Sequence, residues 1–399
     1  MKKKILVGMA LLSALSFTSC AGESTVDLMA FNNEDYSASE IVARIEGIGE
    51  VSLEKENEIE SIYIDYTALS DSEKAEVSNY DVLESARNGI ARLYTPEEKL
   101  TYRFDRSQIL LGVYRFPYTG VCSFELLAEA GFDYTVCGVG DDAYLDELAK
   151  YGMGSFVCAG NREYPVWWGL NNIVDGKVEP TFTLEEFIAK VEATPYDHEA
   201  FWGLSIVDET NAGAYPFLGE CVEAYRKINP QHYIYDCQFP ISSSEELLGA
   251  ASFKEYLEAY VANVNTDRIT VDFYNIDKSA TEPDGLMLRH ISNLQVMAEV
   301  CRETGRELWA VMQVEAVSNK DRDYLTVGQM RTQAYTALAF GAKSIGWATW
   351  YDGWWDPDSC PIDTEGNVTP AYYSVKQVNS EVKNLSPVYM KYTNTDTCK

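Results

Sequence analysis

The sequence predicts an α/β protein, a (β/α)8 TIM barrel preceded by a small three-helix module. Three observations predict it. From about residue 104 to 392, eight apolar, strand-like runs alternate with helical patterns. Several of those helices open with the Ser/Thr-x-x-Glu/Gln spacing of a capped N-terminus. Eight such units in roughly 290 residues match a closed barrel better than an open sheet.

The strand-like runs are 109–116, 132–138, 153–159, 201–209, 233–240, 268–275, 308–314 and 344–351. Thr183 with Glu186, Ser252 with Glu255 and Thr326 with Gln329 open the helices after the third, fifth and seventh runs. The first run, around Leu111-Gly112-Val113-Tyr114, carries no Gly-rich phosphate loop, which removes the dinucleotide-binding reading. The three histidines, His198, His232 and His290, have no metal-ligand spacing, so neither a metal nor another cofactor is expected.

Ahead of the barrel, Ile41, Ile45 and Ile48, then Ile59, Ile62, Tyr66 and Leu69, then Leu83, Ala86, Ile90 and Leu93 each trace one helical face. Ser70 and Glu73 add a capping box between the second and third. The stretch 38–97 is similar to the little helical modules, often repeated, of extracellular bacterial proteins, with Tyr66-Thr-Ala-Leu-Ser and Val77-Ser-Asn-Tyr80 as the recurring pattern. It holds no cluster of reactive groups, which suits a spacer.

The chain opens on Lys2, Lys3 and Lys4, continues through an uncharged apolar stretch over 5–17, and reaches Ser19-Cys20-Ala21. The stretch is too short for a bilayer span, which needs about 20 residues, and reads as an export signal. It resembles a bacterial lipoprotein signal. That resemblance implies a signal over 1–19, lipidation of Cys20, a tether over 20–37, and an exported protein lipid-anchored to the cell envelope, facing outside the cytoplasm.

The chain has 32 basic and 62 acidic side chains; losing residues 1–19 removes three lysines and no acids, moving the net charge from −30 to −33. Nucleic acid is excluded as a partner. Neutral or cationic ligands are expected, with membrane attachment through the lipid alone. Cys137, Cys158, Cys237 and Cys301 lie in apolar stretches and read as small core residues, whereas Cys360 and Cys398 lie in loop-like sequence. A polar tail covers 393–399.

Active sites of such barrels lie at the C-terminal ends of the strands. Those ends offer Tyr114, Arg115, Asn161, Asp208, Glu209, Asp236, Gln238, Asp272, Tyr274, Gln313, Glu315, Trp347 and Trp350. Carboxylates and amides hold hydroxyl groups, and aromatic faces cover pyranose rings, so an oligo- or polysaccharide is the expected partner. Trp202, Trp309, Trp354 and Trp355 also belong to or follow strands; Trp202 and Trp309 are expected to pad the strand–helix interface. On the fourth run the two-residue period puts Gly203, Ser205 and Glu209 on one face, aimed into the mouth.

Around Glu209 the chain resembles the large clan A-like group of retaining glycoside hydrolases, galactosidase- and cellulase-like, over about three quarters of its length. In that group a glutamate ending the fourth strand is the general acid/base, a tyrosine lies on the sixth, a carboxylate nucleophile on the seventh and a tryptophan on the eighth. Asp272-Phe-Tyr274 and Trp347-Ala-Thr-Trp350 match the sixth and eighth, and the segment 362–373 looks like the turn into the final helix of galactosidase-like barrels. Two positions depart. Asp208 stands where asparagine is usual, and Gln313 aligns with the nucleophile, although an amide cannot form the glycosyl ester.

Three readings stay open. Glu315, one step beyond Gln313 on the same face, is the nucleophile of a retaining enzyme, about 5–5.5 Å from Glu209. Or Asp208 and Glu209 resemble the adjacent pair of hexosaminidases that use the substrate's acetamide, with Asp208 orienting it and Glu209 protonating the leaving oxygen. Or the barrel is a non-catalytic glycan-binding surface lipoprotein. Beside these, Asp208, Thr210 or Asn211 is also placed to cap the following helix.

Overall fold

In the computed structural model the described residues are 36–395 apart from 53–54, 94–101, 116–122, 139, 159–169, 171–172, 175–176, 194–196, 277–282 and 317–323. The signal, Cys20, most of the tether, Asn161 and Cys398 lie outside them.

Helices α1 (Ala38–Glu46), α2 (Glu56–Ala68) and α3 (Tyr80–Leu93) precede the barrel. Ile41, Ile45, Ile48, Ile59, Ile62, Leu69 and Leu83 meet in one apolar cluster, the faces the periodicity marks. Ser70 accepts the Glu73 N–H and the Glu73 carboxylate accepts the Ser70 N–H, closing the expected capping box.

Eight parallel strands follow: β1 (Leu110–Tyr114), β2 (Tyr134–Gly138), β3 (Gly154–Cys158), β4 (Phe201–Asp208), β5 (Tyr233–Cys237), β6 (Arg268–Asp272), β7 (Glu307–Gln313) and β8 (Ala342–Ala348). Their hydrogen-bonded order is β5-β4-β3-β2-β1-β8-β7-β6. A parallel bridge between Gln238 and Val271, with the Gln238 N–H on the Thr270 carbonyl at 2.8 Å, joins the two ends. Each of the eight strands falls within or beside one of the eight sequence runs. The helices that alternate with them are α4 (Phe124–Glu129), α5 (Asp142–Lys150), α6 (Leu184–Ala193), α7 (Tyr215–Ile228), α8 (Phe253–Asn263), α9 (Pro283–Thr304), α10 (Val327–Ala339) and α11 (Pro370–Tyr389). Thr183 and Thr326 form reciprocal capping boxes; at Ser252 only the hydroxyl cap forms, accepting from the Glu255 N–H.

Two cores result from the strand period of two. Ile109, Leu111 and Val113 of the first run, Leu308, Ala310 and Met312 of β7, and Ile345 and Trp347 of β8 face the helices. The alternate set fills the lumen, where residues of distant strands touch: Tyr114 against Tyr235, Tyr134 against Trp309, Phe156 against Trp309. Trp202 and Trp309 belong to this inner cluster, a correction to their expected place between strands and helices. At the N-terminal end of the lumen the fully buried Arg268 pairs with Glu307 at 3.1 Å and lies against the rings of Tyr102, Phe104, Tyr233 and Trp309. This closes one end of the barrel with side chains.

β4 departs from the simple period. Its pairing is irregular between Ser155 and Phe156 on one side and between Ser205 and Val207 on the other, and Ile206 and Val207 both join the outer core. Counting by twos from Gly203 therefore does not place Glu209.

Candidate active site

Glu209 owes its placement to backbone conformation. It follows the last residue of β4 with φ +51°, in the left-handed region that non-glycine residues seldom occupy, and its N–H donates to the Cys237 carbonyl at 2.8 Å. Arg115 and Cys137 take the same conformation at the ends of β1 and β2. Strained φ values thus gather at the C-terminal rim of the barrel.

β6 supplies the carboxylate that faces Glu209. Arg268, Thr270, Asp272 and Tyr274 share the inner phase of that strand, and Asp272 is buried. Burial, then the charges of Glu209 and Asp208, hold the Asp272 carboxyl well above the usual range, and the nearby Tyr274 phenol offsets only part of this. Burial also raises Glu209. Among the described residues, Asp272 Oδ1 and the buried Tyr274 hydroxyl make no hydrogen bond of good geometry. Tyr114, hydrogen-bonded through its hydroxyl to Tyr235 at 2.9 Å, completes this side of the mouth. Asp208, Glu209, Asp272 and Tyr274 are thereby brought together.

Gln313 and Glu315 are committed elsewhere. The Gln313 side chain donates to the Ile276 carbonyl and accepts the Ile276 N–H, both at 2.7 Å, and donates again to the Glu315 carbonyl at 3.2 Å. Only an amide can do this, since a carboxylate has no donor at neutral pH. Glu315, expected as a nucleophile, is fully buried. Its carboxylate accepts the N–H groups of Trp354, Trp355 and Asp356 at 3.0, 2.6 and 2.6 Å, and the Thr349 hydroxyl at 3.2 Å. Burial raises its pKa and these four donors oppose the rise. The structure gives Glu315 the task of holding the loop after β8, with no access to a substrate carbon.

Four further positions need correction. Asp236 and Gln238 alternate with the inward Tyr233, Tyr235 and Cys237, so they face the helices. There the Gln238 carbonyl accepts from Tyr215 at 2.7 Å and Tyr256 at 3.2 Å, and its amide donates to Asp236 at 3.2 Å. Complete burial pushes the Asp236 carboxyl up to about 7. Trp347 faces outward and donates to Asn379 on α11 at 2.8 Å; Trp350 packs on Phe132 and Tyr372. None of these four lines the mouth. Arg115 remains at the rim, half-exposed, paired with Asp352 at 3.0 Å. Cys360, read as a loop cysteine, is buried beneath the same loop beside Thr349.

Among the described residues, the exposed aromatics of the rim are Trp354 and Trp355, which follow β8 in a loop and so stand outside the strand-end candidates. Their signal in the sequence is the Asp352-Gly353-Trp354-Trp355-Asp356 stretch, polar and glycine-containing around two adjacent indoles. The segment 362–373 does form the expected turn: Ile362 bridges Val368, Thr369 caps α11, and Pro370 opens it.

No protein-family model and no curated protein matches the chain. Solved structures do resemble it. A cold-adapted β-galactosidase from Rahnella sp. R3 superposes with a TM-score of 0.53 at 13% identity, covering 73% of this chain and 58% of that one. A catalytic mutant of Gan42B, a GH42 β-galactosidase from G. stearothermophilus, gives 0.51 at 12% identity over 74% and 59%. The chain thus spans under two thirds of either structure's length. At such identities the likeness establishes the (β/α)8 barrel fold.

Proposed function

We propose that the protein is a glycoside hydrolase in which Glu209 is the general acid/base and the nucleophile is the substrate's own 2-acetamido group. The observation that carries this is the distribution of carboxylates around the mouth. Among the described residues, Asp208, Glu209 and Asp272 gather beside Tyr274, whereas the end of β7 offers an amide latched to Ile276 and a glutamate enclosed by the β8 loop. A mechanism that needs no nucleophile from β7 fits that arrangement.

In the proposed sequence Glu209 gives its proton to the glycosidic oxygen as the bond to C1 breaks. The acetamide carbonyl oxygen closes on C1 from the opposite face, giving an oxazolinium ion. Asp208 accepts the acetamide N–H and orients it, and the Tyr274 hydroxyl donates to the acetamide oxygen. Water then attacks C1, the ring reopens, and the Glu209 carboxylate takes the water's proton. The anomeric configuration is retained through two inversions. The raised pKa of Glu209 suits the first step, which needs the protonated acid. Burial and the neighbouring Glu209 and Asp208 carboxyls favour the protonated form of Asp272, which can donate, whereas an ester-forming nucleophile would have to be ionised.

Lipid anchoring at Cys20 belongs to the same proposal, with the barrel displayed outside the cytoplasm and the helices of 38–93 as spacer. Metabolic labelling with a palmitate analogue tests this: wild type takes up the label and Cys20→Ser does not. The catalytic part is tested with chromogenic glycosides. Glu209→Gln is expected to cut turnover by roughly 10²–10⁴-fold, and equal turnover by both proteins would refute the assignment.

A further inference from the structure

We infer that Trp354 and Trp355 form a sugar-binding platform at the rim of the mouth, and that Glu315 is the positioning residue that sets it. The inference rests on the glycoside reading and deepens it. Both indoles are exposed, 42% and 38%, whereas Trp202, Trp309, Trp347 and Trp350 are all buried. The two rings stand 89° apart with centroids 5.7 Å from each other, forming a corner. Each meets Tyr274 edge-on, at 5.6 and 5.0 Å, and Trp354 also meets Tyr114 at 6.3 Å. The corner is therefore built onto the two tyrosines that line the mouth beside Asp272.

Holding two large apolar rings in water is unfavourable unless something covers them. An acidic protein of net charge −30 repels an anionic occupant. A neutral pyranose has an apolar C–H face for one indole and an edge for the other. Its hydroxyl groups stay in water. The occupant is the sugar ring adjoining the one that reacts at Glu209.

Glu315 explains how an exposed loop keeps this geometry. Its carboxylate gathers three successive backbone N–H groups, those of Trp354, Trp355 and Asp356, which fixes the direction of the chain under both rings. An apolar anchor would fill the same space without orienting those groups. The fit leaves no room at Gly353, where a Cβ would lie 2.2 Å from Glu315 Oε1. The Arg115–Asp352 pair ties the loop's near end to β1, though so exposed a pair adds little stability.

The test is a titration of intrinsic tryptophan fluorescence in the Glu209→Gln protein, where turnover does not interfere, with chitopentaose, cellopentaose and xylopentaose as probes. A saturable change is expected with at least one. Trp354→Ala and Trp355→Ala, both exposed and tolerant of substitution, should weaken that binding roughly tenfold or more, and Trp355→Phe should restore most of it. Glu315→Gln should weaken binding as much as the alanine variants do, and in the active protein should raise KM for the oligosaccharide more than it lowers kcat. Where Glu315→Gln does not fold, Gly353→Ala displaces the same carboxylate and should act alike. Absence of a saturable change with all three probes, or alanine variants within twofold of the parent, overturns the platform. Turnover without platform binding refutes this inference alone, and platform binding without turnover by the wild type refutes the catalytic reading alone.

Discussion

The side-chain amide of Gln313 pairs in both directions with the backbone of Ile276, donating and accepting at 2.7 Å, and so ties the end of β7 to the segment after β6. Gln313→Glu would leave the acceptor role intact and set a carboxylate against two carbonyl oxygens, those of Ile276 and Glu315. The expected cost is about 2–4 kcal/mol at neutral pH. The introduced acid has a folded pKa above its unfolded one, so the cost fades as pH falls from the folded value and is gone below the unfolded value of about 4.3. Thermal melts at pH 4 and pH 7.5 measure it. Equal stability at pH 7.5 would show that the latch carries no weight.

Glu209 must be protonated to act, and burial raises its pKa. Activity should therefore fall along an alkaline limb whose midpoint lies above the ordinary glutamate value of about 4.3. The profile of kcat/KM against pH, taken on the free enzyme, gives that midpoint. A limb at or below the ordinary value assigns the acid elsewhere.

Asp272 is destabilising when charged. Its folded pKa stands well above the unfolded value, so the penalty develops as pH rises from about 3.9 toward the folded pKa and is absent below that range. Asp272→Asn should raise the melting temperature at neutral pH, with the gain vanishing near pH 3.5, and should slow hydrolysis. A variant less stable than wild type at pH 7 would contradict the pressure of Glu209 and Asp208 on this group.

Gly203 carries φ +155°, and a Cβ there would lie 1.7 Å from the Tyr233 carbonyl oxygen on β5. Backbone cannot yield as a side-chain end does. Gly203→Ala should cost more than about 4 kcal/mol or prevent folding, read by chemical denaturation. A loss below 1 kcal/mol would mean that β4 and β5 separate there easily.

The strands were legible because each run is apolar on both faces, as a parallel strand covered by helices and lumen must be. The choice of face was less legible. Asp236, Gln238 and Trp347 sit at strand ends like true mouth residues, and only the inward phase of Tyr235 or Gly346 excludes them. On β4, two pairing irregularities break the count, so Glu209 reaches the rim through its own backbone conformation. The backbone partners of Glu315 stand 39–41 residues away along the chain. No local pattern links a glutamate after one strand to the amides after the next. Asp272 was visible as a strand end, but its encounter with Glu209 depends on closing the sheet between β5 and β6.

If the substrate's acetamide stands in for a β7 nucleophile, the 2-substituent of the sugar decides whether a glycoside is cleaved. Initial rates are measured on matched 4-nitrophenyl β-glycosides of gluco and galacto configuration bearing a 2-acetamido, a 2-trifluoroacetamido or a 2-hydroxyl group. Cleavage is expected for an acetamido substrate, with much slower cleavage of its trifluoroacetamido counterpart, whose carbonyl is a poorer nucleophile, and none of the 2-hydroxyl compound. Cleavage of the 2-hydroxyl glycoside as fast as the acetamido one, or of no glycoside at all, would contradict it.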